Sequence, residues 1–400
     1  MSDVESLAGA AQRLLLNNYR QQPIAMSHGQ GSELWDTSGR RYLDMTAGVA
    51  VCVLGHADPG LANAIAEQAR RLVHTSNLYY VENQLRLAEA LIARGFPGGR
   101  AFFCNSGAEA NEAALKLARR YQVTTMGRPK RLEIVAFENS FHGRTVGALS
   151  VTGQAKYREG FGPLFGPVKF IPFGDLDAVR AAVTAETCAV IIEPVQAEGG
   201  IHLPPPGFLQ ELRRHCTDTG TVLIFDEVQT GVGRTGTFYA FEKERVQPDI
   251  ISLAKGLGGG VPIGAILAHG DVARGFEPGT HASTFGGNPF ATAAALYVQE
   301  AIDRLGLLER CREAGAYLGN ALTRLAERRR PRTRGTRGRG LLQGLVLDGD
   351  ASPFVNRARE HGLLISAVGG NVVRLVPALT ISKAQIDEAL QIIDLVLADG

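Results

Sequence analysis

The sequence predicts an α/β protein: a large domain built on a mostly parallel sheet with helices on both faces, followed by a smaller α+β domain. From Arg100 onward, short apolar runs alternate with helical patterns, and parallel strands need helix-length crossovers between them. After Pro289 the pattern becomes helix-rich. The apolar runs that predict strands of the large domain are residues 101–104, 132–137, 188–193, 222–226, 249–254 and 263–268.

We expect the chain to divide into three parts. Residues 1–50 form an N-terminal segment that packs with the small domain, residues 51–289 form the large domain, and residues 290–400 form the small domain. The first part is expected to open with a helix over residues 7–18 and an extended piece over residues 19–26.

Alternating apolar and polar residues on both sides of Gly39 predict a β-hairpin within residues 33–53. Apolar residues at helical spacing then predict amphipathic helices over residues 61–73 and 83–94.

The small domain is expected to begin with helices over residues 290–329 and to end with a helix from Lys383, with apolar runs at residues 341–347 and 372–376 between them. The arginine-rich residues 328–339 are compatible with an RNA-binding arm. We favour a different interpretation, because cations are common at the carboxyl end of a helix and this stretch sits between a helix and a strand.

The composition is that of an ordinary soluble globular protein. The 400 residues are 45% apolar and 20% charged, and the formal net charge of +2 gives no strong attraction to nucleic acid or anionic membranes. No apolar run approaches membrane-spanning length, and Asp3 and Glu5 do not fit a targeting peptide. The five cysteines are scattered and the nine histidines lack metal-ligand spacing, so we expect a cytoplasmic protein with reduced thiols and no metal.

Two predicted strands end on residues that suit pyridoxal phosphate. The run 249–254 is followed by Lys255 and then by glycines, and the run 222–226 ends on Asp226. Strand ends of open α/β sheets face the ligand-binding crevice. A lysine there can form a Schiff base with the aldehyde, while an aspartate keeps the ring nitrogen protonated. Taken singly, a loop lysine and a helix-capping acid are the simpler interpretations.

A third strand, residues 101–104, leads into a predicted anion site. Ser106 with Glu109 three residues later is a capping box, which marks a helix start. Free backbone N–H groups at such a start bind phosphate, and the small residues Gly107 and Ala108 leave room for it. This phosphate site decides between the interpretations, because Lys255 and Asp226 then have a cofactor to serve.

Two further strand ends carry candidate residues. Phe141 follows the run 132–137 and is placed to stack on a ring, while Arg144 can clamp a carboxylate with its bidentate fork. Core packing and an exposed surface are the alternatives for these two residues. Glu198 follows the run 188–193 and is either a structural cap or an active-site acid.

Several long motifs resemble the class III pyridoxal phosphate-dependent aminotransferases, and within them the acetylornithine/succinylornithine aminotransferases. The resemblance runs from about residue 19 to the end and implies the fold-type-I architecture. The motifs are NSGAEANEAALK from Asn105, FHGRT from Phe141, FDEVQTGVGRTG from Phe225, AKG from Ala254 and TFGGNP from Thr284.

The resemblance implies how the cofactor is held. Lys255 is the Schiff-base lysine, and Asp226 partners the pyridine nitrogen. Phe141 and Val228 pack on the two ring faces, and Gln229 lies near the ring hydroxyl. Ser106, Gly107 and Ala108 hold the phosphate, and Thr284 reaches it from the other subunit of a homodimer with shared active sites.

For substrates, the resemblance implies that Arg144 binds the distal carboxylate and Arg374 the α-carboxylate of glutamate. Glu198 pairs with Arg374 and masks it when the ω-amino substrate enters, and Tyr19 lines the outer pocket. The sequence departs from the family pattern at two positions that usually carry glycine, Ala197 and Ala282. Both departures put the fine shape of the pocket in question, and neither removes a reacting group.

The expected reaction is the transamination of N²-acetyl-L-ornithine with 2-oxoglutarate in arginine metabolism, giving N-acetyl-L-glutamate 5-semialdehyde and L-glutamate. Succinylornithine, diaminopimelate precursors, free ornithine and 4-aminobutyrate stay open as alternative substrates, since they need the same catalytic residues. A more distant alternative is a non-catalytic ligand-binding or RNA-binding protein, which predicts no bound chromophore and salt-dependent association.

Overall fold

A computed structural model describes residues 4–399. The strands are β1 (Met26–Gln30), β2 (Glu33–Asp36), β3 (Arg41–Asp44), β4 (Arg100–Cys104), β5 (Glu133–Phe137), β6 (Val168–Ile171), β7 (Thr187–Ile192), β8 (Val222–Asp226), β9 (Ile250–Leu253), β10 (Gly264–Ala268), β11 (Thr333–Arg339), β12 (Leu342–Leu347), β13 (Leu363–Leu364), β14 (Ser366–Val368) and β15 (Val372–Leu375).

The helices follow the expected distribution, with short ones filling the loops of the large domain. They are α1 (Val4–Leu14), α2 (Ala47–Ala50), α3 (Pro59–Arg71), α4 (Glu82–Ala93), α5 (Gly107–Arg120), α6 (Val146–Ser150), α7 (Ala155–Arg158), α8 (Leu176–Ala182), α9 (Phe208–Thr219), α10 (Phe241–Glu244), α11 (Gly270–Ala273), α12 (Pro289–Arg304), α13 (Leu307–Arg328), α14 (Ala351–Glu360) and α15 (Lys383–Asp399).

The large domain is organised by a seven-stranded sheet in the order β4-β10-β9-β8-β7-β5-β6. Neighbours from β9 to β6 run parallel, and β10 alone is antiparallel to its neighbours β4 and β9. The prediction of a mostly parallel sheet is therefore confirmed. Because β10 reverses direction between two strands of common direction, the carboxyl end of β4 lies at the same edge as those of β5, β7, β8 and β9.

Both faces of this sheet are covered, as the apolar runs predicted. Strand β5 is buried along its whole length, and its side chains alternate between two core clusters. Val135 and Phe137 pack in one cluster, while Ile134 and Ala136 pack in the other with residues of α5. Burial on both sides explains why the strand reads as a continuous apolar run.

Two smaller sheets form the rest of the fold. The C-terminal part holds the sheet β11-β12-β15-β14, and the N-terminal hairpin lies in the sheet β1-β2-β3-β13, where β13 pairs in parallel with β3. That pairing joins the N-terminal segment to the C-terminal part. Helix α12, which begins at Pro289, packs against α3 and α4.

The sequence patterns missed four short strands, β1, β6, β13 and β14, which are 5, 4, 2 and 3 residues long. The expectation for residues 328–339 was also wrong in part. This stretch does not merely connect a helix to a strand, because Thr333–Arg339 is itself strand β11, paired antiparallel with β12. Arg334 and Arg339 find carboxylate partners in Asp348 and Glu244, which offsets the charge of an arginine-rich strand.

Within residues 4–399, no helix is long and apolar enough to cross a membrane.

Candidate active site

A cavity of about 390 Å³ opens at the edge of the large sheet where the strands β4, β5, β7, β8 and β9 end. This is the crevice in which open α/β sheets bind ligands. Most of the residues expected in the site line this cavity. They are Ser106, Gly107, Ala108, Phe141, Arg144, Asp226, Val228, Gln229 and Lys255.

Asp226 ends β8 and is held by three partners. Its Oδ2 accepts hydrogen bonds from Asn111 Nδ2 at 2.7 Å and lies 2.7 Å from His142 Nδ1, and its Oδ1 accepts from the Val228 backbone N–H at 3.0 Å. Ser252 Oγ in turn donates to Asn111 Oδ1 at 2.6 Å. A buried carboxylate with this support is fixed in one orientation, as a group facing a ligand cation must be.

Lys255 follows β9 and has a backbone φ of +46°, in the left-handed region that non-glycine residues rarely adopt. Its side chain lines the cavity together with that of Asp226, which lies on the neighbouring strand. Desolvation lowers the pKa of the Lys255 amine to about 8, although the negative charge of Glu198 acts in the opposite direction. A larger fraction of the amine is therefore neutral and nucleophilic at physiological pH than for an exposed lysine.

The first turn of α5 forms one wall of the cavity. Ser106 is the N-cap, and its Oγ accepts from the Glu109 backbone N–H at 3.2 Å. The Glu109 carboxylate reaches back to the backbone N–H of Asn105 at 2.6 Å, one residue before the N-cap. A Cβ on Gly107 would lie 2.7 Å from Val228 Cγ1, so only glycine fits there. Ser106, Gly107 and Ala108 at the start of this 14-residue helix line the cavity, and the first N–H groups of a helix have no partner within it.

Phe141 and Val228 also line the cavity, on separate loops that follow β5 and β8. Phe141 packs edge-on against Tyr157, with ring centroids 5.9 Å apart. The Arg144 guanidinium lies over the same Tyr157 ring at 3.8 Å and is exposed at the mouth. The cavity therefore has apolar walls and a free cation at its entrance.

Glu198 and Arg374 form an ion pair next to this cavity, although they are 176 positions apart. Gln229, which lines the cavity, bridges them: it donates to Glu198 Oε1 at 3.1 Å and accepts from Arg374 Nη1 at 3.0 Å. Burial acts to raise the pKa of Glu198, but the charge of Arg374 holds it below its usual value. The pair is ionised, and each partner neutralises the other.

Besides Glu198 and Arg374, four positions noted in the sequence lie outside the cavity lining. Thr284 and Ala282 are exposed, and Tyr19 is 78% exposed. Ala197 is fully buried, and its backbone N–H donates to Glu193 Oε1 at 3.4 Å. Neither Thr284 nor Tyr19 lines the cavity of this chain.

Sequence reasoning missed three cavity residues: Asn111, His142 and Glu193. Asn111 and His142 stand inside the motifs already noted, but only the fold joins them to Asp226. Glu193 directly follows the apolar strand β7, just as Asp226 ends the apolar strand β8. A carboxylate at the end of an apolar run could therefore have identified Glu193 as well. Burial and the nearby Asp226 charge raise the pKa of Glu193 well above its usual value, and its carboxyl group accepts from the Phe141 backbone N–H at 3.1 Å.

Comparison with known proteins agrees with this architecture. Residues 15–397 match the family model described as aminotransferase class-III. A protein named acetylornithine aminotransferase from Caldanaerobacter subterraneus is 48% identical over 388 residues, which cover 97% of this chain and 98% of the relative.

Two solved structures extend the comparison. Ornithine aminotransferase from Toxoplasma gondii, described with partial occupancy of PLP at its active site, superposes with a TM-score of 0.94 at 32% identity, covering 99% of this chain and 94% of that one. Acetylornithine aminotransferase from Elizabethkingia anophelis gives a TM-score of 0.87 at 29% identity, with each chain fully covered. The chain therefore belongs to the class III aminotransferases, the pyridoxal phosphate-dependent family that its strand-end lysine and aspartate indicated.

Proposed function

We propose that this aminotransferase transfers the δ-amino group of N²-acetyl-L-ornithine to 2-oxoglutarate, giving N-acetyl-L-glutamate 5-semialdehyde and L-glutamate. The observation that carries the proposal is one cavity in which a neutral-prone Lys255, a fixed Asp226 and a helix N-terminus meet. The choice of acetylornithine is supported by relatives of that name at 45–49% identity over nearly the whole chain.

The residues of the cavity fit pyridoxal phosphate. Ser106, Gly107 and Ala108 are assigned to the phosphate, because they present helix N–H groups with no side chain in the way. Asp226 is assigned to the pyridine nitrogen. Phe141, Val228 and Gln229 are assigned to the two ring faces and the ring hydroxyl. When bound, the cofactor supplies an aldehyde and an electron-accepting ring.

Lys255 Nζ is the group that moves protons in this proposal. With its amine free, Lys255 would lie beside the substrate carbon that bears the transferred amine and would remove the proton of that carbon as a base. Asn111 and His142 hold the Asp226 carboxylate in place, where it would partner the ring nitrogen. Apolar walls at Phe141 and Val228 exclude water from the proton's path.

Two arginines explain how one cavity accepts two substrates. Arg144 at the mouth binds the carboxylate of acetylornithine or the distal carboxylate of 2-oxoglutarate. Arg374 binds the α-carboxylate of glutamate, but only when Glu198 releases it. With the ω-amino substrate, the Glu198–Arg374 pair stays closed, and no unpaired cation faces the apolar chain.

The Glu198–Arg374 pair yields a prediction about substrate choice. Glu198→Gln keeps the bridge to Gln229 but removes the charge, so Arg374 attracts carboxylates in both half-reactions. We expect kcat/KM for acetylornithine to fall roughly tenfold while that for glutamate holds or rises. Glu277→Gln, which removes an exposed carboxylate paired with Arg120, is the control. Equal losses for both substrates would contradict the gating role.

The pKa of Lys255 predicts the pH dependence of cofactor attachment. The neutral amine attacks the aldehyde, so the attachment rate follows the deprotonated fraction. With the pKa lowered to about 8, the rate should rise tenfold per pH unit below pH 8 and level off above it. Stopped-flow absorbance of the apoenzyme mixed with the cofactor between pH 6 and 10 measures this. A rate still rising steeply at pH 10 would mean an ordinary lysine.

A homodimer with shared active sites is part of the proposal. Leu78, Tyr80 and Phe285 are 86%, 97% and 60% exposed, which is unusual for such large apolar side chains. Asn77 Nδ2 donates to the backbone oxygens of Ser283 and Gly286 at 3.1 and 2.9 Å, so this apolar patch adjoins Thr284.

A second copy that covers the patch would bring Thr284 to the phosphate of the neighbouring site and would enclose Tyr19 at the outer pocket. Light scattering of the purified protein is expected to give twice the chain mass. A monomer that still turns over would contradict the assignment of Thr284.

Absorbance titration tests the proposed reaction. Acetylornithine is expected to bleach the visible band of the holoenzyme, and 2-oxoglutarate is expected to restore it. Free ornithine, succinylornithine and 4-aminobutyrate run in parallel. Free ornithine is the second candidate, because several close structural neighbours are named ornithine aminotransferases. An equal response to free ornithine would keep the aminotransferase and overturn the acylated substrate.

The cytoplasm is the proposed location, which suits the five unpaired cysteine thiols of the described chain.

A further inference from the structure

We propose that a second cavity in this protein binds a small anion with two negative charges, of the phosphate or dicarboxylate class. This cavity, the arginine cavity, has a volume of about 480 Å³ and lies between helix α13, strand β11 and the segment from Thr235 to Lys243. It shares no lining residue with the active-site cavity. The inference does not depend on which amino-group donor the enzyme uses.

The charge of the arginine cavity is positive. Four cationic side chains line it, namely Lys243, Arg312, Arg337 and Arg339. Two carboxylates pair with them: Glu244 lies 2.6 Å from Arg339, and Glu309 contacts Arg312. Four cations less two carboxylates leave an excess of two positive charges. An anion of charge two matches that excess.

Two buried donors of the cavity lack partners. Thr235 is 5% exposed, and its Oγ has no hydrogen-bond partner within the described chain. Arg339 Nη1 is buried and also unpaired within residues 4–399. Buried polar atoms are nearly always bonded, so a hydroxyl and a guanidinium N–H that lack partners beside one cationic cavity favour the binding of an acceptor there. A guanidinium N–H and a hydroxyl are both donors to the oxygens of phosphate and carboxylate groups.

Hydrogen bonds to backbone oxygens hold two of the arginines in the cavity wall. Arg337 is directed by hydrogen bonds from its Nη1 to the Gly200 backbone oxygen at 3.0 Å, and Arg312 Nη1 donates to the Gly236 oxygen at 2.6 Å. Both arginines are thus held in place by backbone groups. Lys243 is exposed at the rim, where it adds charge without a fixed geometry.

Calorimetry of the holoenzyme tests the proposal. Sodium phosphate is titrated into wild-type protein and into the double variant T235V/K243Q at constant ionic strength. Thr235→Val removes a hydroxyl that has no partner in the described chain. The thermal unfolding midpoint of this variant should therefore not fall below that of the wild type. We expect phosphate to bind the double variant roughly tenfold more weakly or not at all. Lys130→Gln, an exposed lysine elsewhere, changes net charge in the same way and should bind as wild type does.

Succinate is titrated in the same series to separate the two ligand types. Loss of affinity in T235V/K243Q for phosphate alone assigns a phosphate-bearing ligand, and loss for succinate alone assigns a dicarboxylate. Hydrogen–deuterium exchange with the effective ligand should protect residues 235–243 and 336–340 in the wild type only. Absence of binding by both anions, or equal affinities in the double variant and K130Q, would overturn the proposal.

Discussion

Lys255→Ala is expected to abolish transamination, with kcat for acetylornithine falling roughly 10⁴-fold or more. One side chain provides both the covalent attachment of the cofactor and the base that moves the substrate proton. Its position also has a structural cost, since a φ of +46° is tolerated at a non-glycine residue only where the surroundings impose it. The visible absorbance of the covalently attached cofactor should disappear with activity.

Lys130→Ala is the matched control, because it removes an exposed lysine far from the cavity lining. Thermal unfolding of both variants shows whether the fold is intact. A Lys255→Ala protein that keeps the visible band would contradict the assignment from which the site was built.

Asp226→Asn should produce the second largest effect, a fall in kcat of roughly 10³-fold. Asparagine has nearly the same shape and size as aspartate, but it lacks the negative charge that stabilises a protonated ring nitrogen. Asn111 and His142 both contact Oδ2 of Asp226. If the amide nitrogen of the asparagine takes the place of Oδ2, its N–H groups face the N–H donor of Asn111. Single-turnover kinetics with acetylornithine measures the loss.

Asp249→Asn is the matched control in the same sheet. Asp249 lies just before β9, at the opposite edge, where it pairs with Arg213 at 2.8 Å. Its loss should affect stability and leave the single-turnover rate near wild type. Comparable losses of rate in the two variants would mean that Asp226 acts only through the fold.

The contact between His142 and Asp226 concerns the position of the Asp226 carboxylate. Its Nδ1 contacts Asp226, while its Nε2 is buried without a partner in the described chain. Within the described residues, Asp226 is therefore the hydrogen-bond partner of the His142 ring. We propose that His142 orients the carboxylate and that Asp226 is the group that faces the ligand.

The sequence determined most of the large domain because its signals are local. A strand buried on both faces reads as an apolar run, and such runs located β5, β8 and β10 within one or two residues. A residue that ends a parallel strand must lie at the carboxyl edge of the sheet. That rule placed Lys255 and Asp226 in one crevice, and the family resemblance supplied their roles.

Short strands escaped this reasoning for the same physical reason. Strand β6 has 4 residues, too few for periodicity to stand out, and forms because β5 offers a free edge. Strand β11 contains arginines that look like a surface run. It becomes a strand only because β12 pairs with it and because Asp348 and Glu244 neutralise its charges.

Tertiary structure alone decided which polar side chains meet. Asn111 and Asp226 are 115 positions apart, and no local pattern relates them. Likewise, the arginine cavity exists because α13, β11 and the Thr235 segment come together around unpaired donors. Local sequence fixes where a chain is buried and where a strand ends. Contacts between distant side chains depend on the order of strands in the sheet, which only the folded chain establishes.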